Sequence, residues 1–306
     1  MITEPTVRYK HAFVTGGTGM IGVPLCTRLS EMGIRVTTYS RKSNPASLPA
    51  EVNHFTGDIL DYENLLQAAD VADVVFHLAA AVHGSETTHE GFSRLNIDGT
   101  KNVAKMAQTL GIRMVHVSTV NVGMLENGLI SDPYSQTKAL SEKAVLSKIE
   151  SGLNAVIIRP STVFGNVPGR SGLIVDHVLS GSLKVLVAPS RKISPVWVED
   201  VVTSLICAAD VGKTGLTYTI AGPTLSTSDF VKSVSESAGV GSFLGSLSGS
   251  FVAVPLQLAW WLKSITRWTP PISVAAVRTD SVHDGSSAAD NLGFAYTPIS
   301  EIFSKQ

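Results

Sequence analysis

The sequence predicts an α/β fold: a Rossmann-like, doubly wound parallel sheet with a smaller C-terminal substrate-binding region. Short apolar or β-branched runs alternate with longer helical stretches through the first half of the 306-residue chain. A glycine-rich turn follows the first of these runs and precedes the first helical stretch. Short strands that alternate with helices form right-handed βαβ units, which place helices on both faces of a parallel sheet.

The predicted elements begin with a strand over His11–Thr15 (HAFVT), which stops at glycines. The next segment, Met20–Met32, has apolar residues at helical spacing, and Gly33 ends it as a C-terminal glycine would. Further strands and helices continue the alternation. They are predicted over Arg35–Tyr39, Val71–Leu78, Met114–Ser118 and Ala155–Arg159 for the strands, and over Asn102–Leu110 and Tyr134–Ile149 for the helices.

The regular alternation weakens beyond residue 165, which indicates a second part of the chain. A chain of this length fits one large domain or two interlocked ones. We expect a dinucleotide-binding Rossmann domain over residues 1–165, to which 193–221 returns. We expect a substrate-binding region over 166–192 and 222–306.

The composition favours a folded protein that binds a small molecule. Hydrophobic residues make up 44% of the chain and charged residues 16%, the net charge is −1, and no block of like charges occurs. Electrostatic binding of a nucleic acid is therefore not expected. The eight histidines fall at no recurring metal-ligand spacing, so no metal site is expected.

The N-terminal residues lack the apolar core of a signal peptide. The densest apolar segment, Phe251–Leu262, is shorter than the roughly 20 residues that a membrane-spanning helix needs. Cys26 and Cys207 form no CxxC pair and are expected to be buried free thiols. We therefore expect a cytoplasmic protein without a membrane span.

The turn HAFVTGGTGMIG has the form of a phosphate-binding loop between a strand and a helix. Gly16 permits a tight turn with positive φ, Gly19 lets the backbone approach a pyrophosphate, and Gly22 is expected to let the helix pack close to the sheet. The helix N-terminus presents N–H groups and a partial positive charge to the anion. The predicted cofactor contacts of this loop are Gly16, Gly17, Thr18, Gly19, Met20, Ile21 and Gly22.

The second strand is followed by Ser40, Arg41 and Lys42, with no acidic residue. NAD-selective folds usually place Asp or Glu there to bind the ribose 2′-hydroxyl. An arginine offers bidentate donors and a lysine a point charge, and the two together suit a 2′-phosphate. We therefore expect NADP in preference to NAD, with an exposed basic turn as the alternative.

Tyr134 and Lys138 form a Y-x-x-x-K pair in the helix that follows the strand ending at Ser118. Residues four apart share one helix face, so the phenol and the ammonium are expected near one point. A nearby ammonium is expected to lower the phenol pKa from about 10 into a range useful for acid–base catalysis. Ser118 ends its strand at the edge where doubly wound sheets bind ligands. Its hydroxyl can hold the substrate oxygen, and its neighbour Thr119 is a candidate substrate contact.

These residues together resemble the extended short-chain dehydrogenase/reductase family, also called the NAD-dependent epimerase/dehydratase family. The similarity runs in order through most of the chain, in TGGTGMIG, GDILD, FHLAA, LNIDGT, VSTVNVG, YSQTK, RPSTVFG, WVEDVV and DNLGFAYTP. The resemblance implies that Asn96 belongs to the catalytic group and supports its water network. It implies further cofactor contacts at Asp58, Ile59, Leu78, Ala79, Ala80, Tyr134, Lys138, Pro160 and Val163.

Two departures from the family concern the substrate. Thr162 stands where nucleotide-sugar enzymes of the family have Asn, and Ile193 stands where they carry an Arg for the diphosphate of the substrate. The C-terminal segment FVAVPLQLAWWLKSITRWTPP resembles the hydroxysteroid-dehydrogenase-like and dihydroflavonol-reductase-like branches. Trp260 and Trp261 are expected to wall a pocket for an apolar ring system, unless they form the core of the smaller region. His83 is a further candidate substrate contact.

We therefore expect an NAD(P)-dependent oxidoreductase that transfers hydride between nicotinamide and a carbonyl or secondary alcohol of a fairly apolar substrate. Ser118 polarises the oxygen, Tyr134 transfers the proton, and Lys138 binds the ribose and lowers the Tyr134 pKa. The alternatives are a nucleotide-sugar 4-epimerase or dehydratase with tightly bound NAD, and a dinucleotide-sensing regulator without chemistry. The resemblance also implies a homodimer that forms through helices near residues 97–110 and 134–149.

Overall fold

A computed structural model describes residues 7–41, 47–82, 88–165, 172–241, 243–253, 255, 257 and 278–303. Several residues singled out above lie outside the described residues: Lys42, His83, Trp260 and Trp261. No helix in the described ranges has both the length and the apolar character needed to cross a lipid bilayer.

Strands and helices alternate along the chain. Numbered in chain order, the strands are β1 (His11–Thr15), β2 (Arg35–Ser40), β3 (Asn53–Thr56), β4 (Val74–His77), β5 (Arg113–Val117), β6 (Ala155–Pro160), β7 (Thr162–Phe164), β8 (Val185–Val187), β9 (Lys192–Ile193), β10 (Pro195–Trp197), β11 (Thr217–Ile220), β12 (Leu225–Ser226) and β13 (Gly245–Leu247). The helices are α1 (Gly22–Glu31), α2 (Tyr62–Ala68), α3 (His89–Ser93), α4 (Thr100–Leu110), α5 (Asn121–Glu126), α6 (Pro133–Glu150), α7 (Leu173–Leu179), α8 (Val198–Val211), α9 (Thr227–Ser237), α10 (Ser286–Leu292) and α11 (Ile299–Ile302). A π-helical segment, Arg94–Gly99, joins α3 to α4.

The main sheet has seven parallel strands in the order β11-β6-β5-β4-β1-β2-β3. The chain runs outward from β1 through β2 to β3, and then returns to β4 on the other side of β1. In doubly wound sheets, ligands bind outside the carboxyl ends of the strands at such a reversal. The strand order confirms the predicted Rossmann-like fold class.

The central strands are buried, as a parallel sheet covered by helices requires. Every residue of β1 and β4 is buried. Phe13, Met106 and Met114 are completely buried in a hydrophobic core that joins the sheet to α2 and α4. This packing fixes the carboxyl ends of the strands, where the predicted site residues lie.

The chain divides into two compact units. The first contains Met1–Pro160, Val198–Ile220 and Gly285–Ala295, and the second contains Ser161–Trp197, Ala221–Asp284 and Tyr296–Gln306. Within the second unit, short two-stranded sheets pair β7 with β10, β9 with β12, and β8 with β13. Its core includes the packed rings of Phe164, Phe230 and Phe303. That the second unit binds the substrate stays a prediction.

Strand β3 and the π-helical segment are absent from the sequence-based prediction. β3 lies at the sheet edge with three of its four residues exposed, so it lacks the apolar pattern of a buried strand. The π-helical segment buries Asn96 and Gly99. A single wide turn inside a longer helix leaves no periodic signal in the sequence.

The turn after β1 passes close to the chain that follows β4. Gly16 has a φ of 75°, and a Cβ there would lie 2.6 Å from the backbone nitrogen of Ala79. A Cβ on Gly22, the first residue of α1, would meet the Gly16 carbonyl oxygen and lie 2.7 Å from the Gly17 backbone. Gly22 thus brings the start of α1 against the loop itself, and its expected role in packing the helix close to the sheet stays a prediction.

Two glycines with nearly equal φ allow a test of this close approach. Gly33 has a φ of 74°, but no described atom lies within 4 Å of an added Cβ. We expect Gly33→Ala to lower the free energy of unfolding by about 1 kcal/mol through backbone strain alone. Gly16→Ala should lower it by about 2 kcal/mol more, because the Ala79 backbone must move. Urea unfolding measures both, and equal losses would contradict the close approach.

Candidate active site

The start of α1 can bind an anion. Its N-cap residue is Ile21, and no side chain caps the helix. Gly19 is exposed, and among the described atoms an added Cβ there would meet the Gly16 carbonyl oxygen alone, 3.3 Å away. Thr18 and Met20 are half-buried beside it. The open loop surface and the positive end of the helix dipole fit a pyrophosphate.

The carboxyl end of β2 carries an unpaired hydroxyl. Ser40 Oγ is buried and has no hydrogen-bond partner among the described residues, and Arg41 follows it at the surface. The buried Tyr39 hydroxyl donates to the Asp58 carbonyl at 3.2 Å, and the Leu60 N–H donates to Asp58 Oδ1 at 3.0 Å. Because buried hydroxyls normally have partners, the Ser40 hydroxyl fits a ligand such as a ribose or its phosphate.

The remaining predicted cofactor contacts lie at other strand ends. Residues 78–80 directly follow β4, and the chain there is held to β1 by a hydrogen bond from the Leu78 N–H to the Thr15 carbonyl at 3.0 Å. Ile59 is buried. Pro160 ends β6 in the first unit, whereas Val163 lies in β7 of the second unit. Their cofactor contacts stay predictions.

Helix α6 carries the Y-x-x-x-K pair and begins at a well-formed cap. Asp132 accepts hydrogen bonds from the Ser135 N–H at 3.0 Å and from the Ser135 hydroxyl at 2.6 Å. Pro133 occupies the start of the helix, where its fixed φ suits the helix and its missing N–H is not needed. The first turn of α6, which contains Tyr134, therefore has a defined position.

Lys138 joins α6 to the end of β5. It is 2% exposed, and its ammonium donates a hydrogen bond to the Val117 carbonyl at 2.7 Å. Burial lowers the pKa of Lys138 to about 8, against the opposing effect of the Glu142 carboxylate. The ammonium thus lies beside the residue that precedes Ser118.

Tyr134 retains its proton at neutral pH. Burial and the nearby Asp132 carboxylate raise the pKa of Tyr134 to about 12, and a hydrogen bond with the Thr119 hydroxyl opposes this rise. Its ring packs edge-on against Phe92, with 6.4 Å between the ring centroids. The expectation that Lys138 lowers the Tyr134 pKa is therefore corrected. The cost of burying a phenolate dominates, and the ammonium is bonded to a backbone carbonyl.

Ser118 has an unpaired hydroxyl at the carboxyl end of β5. The residue is 5% exposed, and Ser118 Oγ has no hydrogen-bond partner among the described residues. Leaving a buried hydroxyl unpaired costs free energy of about 1–3 kcal/mol. Such an atom is typical of a site where a ligand supplies the missing partner. Thr119, the neighbouring candidate, bonds Tyr134 instead.

Asn96 connects two backbone segments rather than opening toward a ligand. Its Oδ1 accepts from the Ala81 N–H at 2.7 Å, and its Nδ2 donates to the Ala81 carbonyl at 3.2 Å and to Thr137 Oγ1 at 3.0 Å. The side chain thereby links the chain after β4 to the helix of Tyr134 and Lys138. Its amide makes direct bonds to protein, and its expected support of a water network stays a prediction.

A buried chain of hydrogen bonds runs beneath these residues. The Thr100 hydroxyl donates to the Asn96 carbonyl at 2.7 Å, so its oxygen accepts from His77 Nε2 at 2.9 Å. His77 Nδ1 then accepts from the Thr15 hydroxyl at 2.7 Å. Burial, together with the Lys138 charge, lowers the pKa of His77 to about 3. A neutral ring with its proton on Nε2 satisfies both partners.

His116 stacks on His77 with 5.4 Å between the ring centroids. Its Nε2 lies 3.3 Å from Ser141 Oγ, and that hydroxyl donates to the Lys138 carbonyl at 2.8 Å. Burial and the Lys138 charge hold the pKa of His116 well below its usual value. Both histidines are therefore neutral. Separately, no group of His, Cys, Asp or Glu residues in the described ranges is arranged to hold a metal ion.

The predicted site residues do not include several neighbours that shape the site: Phe92, Thr100 and Glu142. Glu142 had a signal in the sequence, because an acid four residues after Lys138 falls on the same helix face. Phe92 and Thr100 leave no comparable signal. They reach Tyr134 and His77 through tertiary packing.

A family model described as the NAD dependent epimerase/dehydratase family matches residues 12–221. The chain belongs to this family. The match includes the glycine loop, Ser118 and the Tyr134–Lys138 pair. The predicted family resemblance is therefore confirmed.

This epimerase/dehydratase family member is 31% identical over 233 residues to a 3-beta-hydroxysteroid dehydrogenase of Mycolicibacterium neoaurum, covering 68% of this chain and 63% of the relative. It is 30% identical over 205 residues to a 2-alkyl-3-oxoalkanoate reductase of Stenotrophomonas maltophilia, covering 61% of each. The chain thus matches less than two thirds of the length of these relatives. The crystal structure of gox2253 shares the fold, with a TM-score of 0.80, 23% identity and 96% coverage of both chains.

The two neutral histidines predict an acid-sensitive fold. In the unfolded chain a histidine gains a proton below about pH 6.5, whereas His77 in the fold does so only near pH 3. Since the unfolded state binds more protons between these values, stability falls as the pH falls. Well below about pH 6.5 each histidine contributes a slope of about 1.4 kcal/mol per pH unit, and this slope disappears above about pH 7.5. We expect His116→Gln to remove one such contribution from the slope.

Urea unfolding at several pH values between 5 and 7.5 measures this slope. His89→Gln is the matched control, because His89 is exposed at the start of α3. Equal slopes for wild type and His116→Gln would mean that His116 takes up its proton in the folded state.

Proposed function

We propose that this protein is an NAD(P)-dependent oxidoreductase that transfers hydride between a nicotinamide and a carbonyl or secondary alcohol of a fairly apolar substrate. The observation that carries the proposal is the buried Ser118 hydroxyl, which has no hydrogen-bond partner among the described residues. On one side, Lys138 bonds the Val117 carbonyl, and on the other, Thr119 bonds Tyr134. One strand end therefore gathers an unpaired hydroxyl, a phenol and an ammonium.

The cofactor in this proposal is NADP. When bound, it supplies the hydride that reduces the substrate carbon. The glycine loop and the start of α1 would hold its pyrophosphate, Lys138 would bind the ribose next to the nicotinamide, and Ser40, Arg41 and Lys42 would bind the 2′-phosphate. The Ser40 hydroxyl, which has no partner among the described residues, and the exposed Arg41 support this assignment. The sequence has no acidic residue at this point, where NAD-selective folds use one to bind the ribose 2′-hydroxyl.

The protonation state of Tyr134 suits it to act as the proton donor in the reduction of a carbonyl. A phenol with a pKa of about 12 holds its proton at neutral pH. It is therefore ready to donate that proton to the oxygen of a carbonyl whose carbon is being reduced. The Ser118 hydroxyl donates a hydrogen bond to the same oxygen and stabilises the charge that develops there. Oxidation of an alcohol would require Tyr134 to start as the phenolate.

An apolar substrate is supported over a nucleotide sugar. Ile193 is 5% exposed and belongs to the core of the second unit, where the nucleotide-sugar enzymes need a cation. The nearby Arg191 guanidinium donates to the Thr279 carbonyl at 2.6 Å. The buried Ile193 side chain therefore offers no charge to a diphosphate. The relatives named as a hydroxysteroid dehydrogenase and an oxoalkanoate reductase support a ketone of low polarity.

The proposed assembly is a homodimer in the cytoplasm. Helix α6 exposes the apolar side chains Leu140 and Leu146 at 45% and 38%, which a helix-to-helix contact would cover. The free and buried thiols of Cys26 and Cys207 fit a reducing compartment. Light scattering after size exclusion measures the mass of the particle and tests the dimer.

Tyr134→Phe is expected to lower the turnover number for ketone reduction by about 10²–10⁴-fold, because the oxygen loses its proton donor. NADPH oxidation in the presence of a 3-oxosteroid or a 2-alkyl-3-oxoalkanoate measures the rate. Tyr62→Phe makes the same change on α2, where the phenol bonds Thr109, and should leave the rate unchanged. A fully active Tyr134→Phe variant would refute the proposed role.

Arg41→Ala is expected to weaken NADPH binding by about tenfold, because one charge-assisted contact to the 2′-phosphate is lost. NADH lacks this phosphate, so its affinity should change little. Isothermal titration of both cofactors measures the difference. Arg35→Ala, at the opposite end of β2, is the control. If Arg41→Ala weakens the binding of NADPH and NADH equally, Arg41 does not bind the 2′-phosphate.

A further inference from the structure

Helix α6 places three polar side chains at intervals of four residues: Tyr134, Lys138 and Glu142. Residues at this spacing lie on the same helix face. Lys138 and Glu142 are 2% and 3% exposed, so a cation and an anion are both buried one turn apart. The proposed reaction uses Tyr134 and Lys138, and Glu142 has no part in it.

Glu142 forms a bidentate ion pair with Arg159 of β6. Arg159 donates from Nε to Oε1 at 2.9 Å and from Nη2 to Oε2 at 2.6 Å. The carboxylate raises the pKa of Arg159, which therefore stays charged. Farther out, the exposed Glu126 of α5 lies 3.8 Å from the same guanidinium. Arg159 thus pairs with the buried carboxylate that lies one helix turn from Lys138.

The other titratable groups that face Lys138 are uncharged at neutral pH. His77 on β4 and His116 on β5 are neutral, because burial lowers the pKa of each ring. Tyr134 on the same helix keeps its proton. Among the described residues, Glu142 supplies the negative charge that acts on Lys138 and opposes the effect of burial on its pKa.

We propose that Glu142 and Arg159 are a positioning pair that sets the charge of Lys138. The inference rests on the proposed function, in which Lys138 must be an ammonium. Glu142 stabilises that ammonium at the Val117 carbonyl, beside Ser118. Arg159 limits this stabilisation, because it draws on the same carboxylate. An ion pair with a structural role alone would leave the titration of Lys138 unchanged.

The two members of the pair predict shifts of opposite sign. Glu142→Gln removes the anion and leaves Arg159 in place, so the titration midpoint of Lys138 should fall by about 1 pH unit. Arg159→Gln frees the carboxylate for Lys138, so the midpoint should rise. Glu150→Gln, at the exposed end of the same helix, should leave it unchanged. NMR of ¹³Cε-labelled lysine, assigned with Lys138→Met, measures the midpoints.

Shifts of the same sign in both variants, or no shift in either, would overturn the inference. Glu142→Gln leaves Arg159 buried without its partner, which can prevent folding. In that case the double variant Glu142→Gln/Arg159→Gln replaces it. The expected order then places the midpoint of the double variant below wild type and that of Arg159→Gln above it. Any other order contradicts the pair.

Turnover with NADPH and a ketone separates this inference from the proposed function. Wild-type activity should fall as the pH rises through about 8, where Lys138 loses its proton, and this limb should move with the NMR midpoint. Shifted midpoints without any ketone reduction would reject the proposed function and leave the pair standing. Ketone reduction with unshifted midpoints would reject the pair alone.

Discussion

The structure of the site depends on one buried contact, the hydrogen bond from the Lys138 ammonium to the Val117 carbonyl. An ammonium taken out of water is costly unless polar groups and an opposite charge surround it. Here it joins α6 to the last residue of β5. The contact thereby fixes the distance between the strand end that carries Ser118 and the helix that carries Tyr134.

The surrounding interior is polar but ordered. Thr15, His77 and Thr100 form a chain in which each hydroxyl donates to one neighbour and accepts from another. Asn96 continues it to Ala81 and Thr137. Because this chain of hydrogen bonds begins at the end of β1 and reaches α6, it connects the strand before the glycine loop to the helix of Tyr134 and Lys138. A charged His77 would break it, since the ring must accept a hydrogen bond at Nδ1.

Burial shifts the pKa values of Tyr134 and Lys138 in opposite directions. Burial raises the pKa of Tyr134 because a buried phenolate is poorly solvated. It lowers the pKa of Lys138 because a buried ammonium is poorly solvated as well. Tyr134 thus keeps its proton at neutral pH, while the charge of Lys138 depends on its neighbours. This dependence gives the buried Glu142 a consequence for chemistry as well as for packing.

Much of the fold can be predicted from local patterns. The bounds of β1 are those of the apolar run HAFVT, and the Y-x-x-x-K spacing places Tyr134 and Lys138 on one helix. Strand β3 escapes such prediction because an exposed edge strand needs no apolar periodicity. The glycine loop can be predicted from the sequence, because close backbone approach and positive φ both require a residue without a side chain.

By itself, the sequence determined the alternation of buried strands with helices, the glycine-rich turn after β1 and the family, since each is encoded by neighbouring residues. Only the tertiary structure decided the protonation of Tyr134, the absence of a partner for the Ser118 hydroxyl among the described residues, and the ion pair of Glu142 with Arg159. Charge and hydrogen bonding depend on burial and on partners from other strands. No local spacing specifies those partners, so they exist only once the sheet and helices have packed.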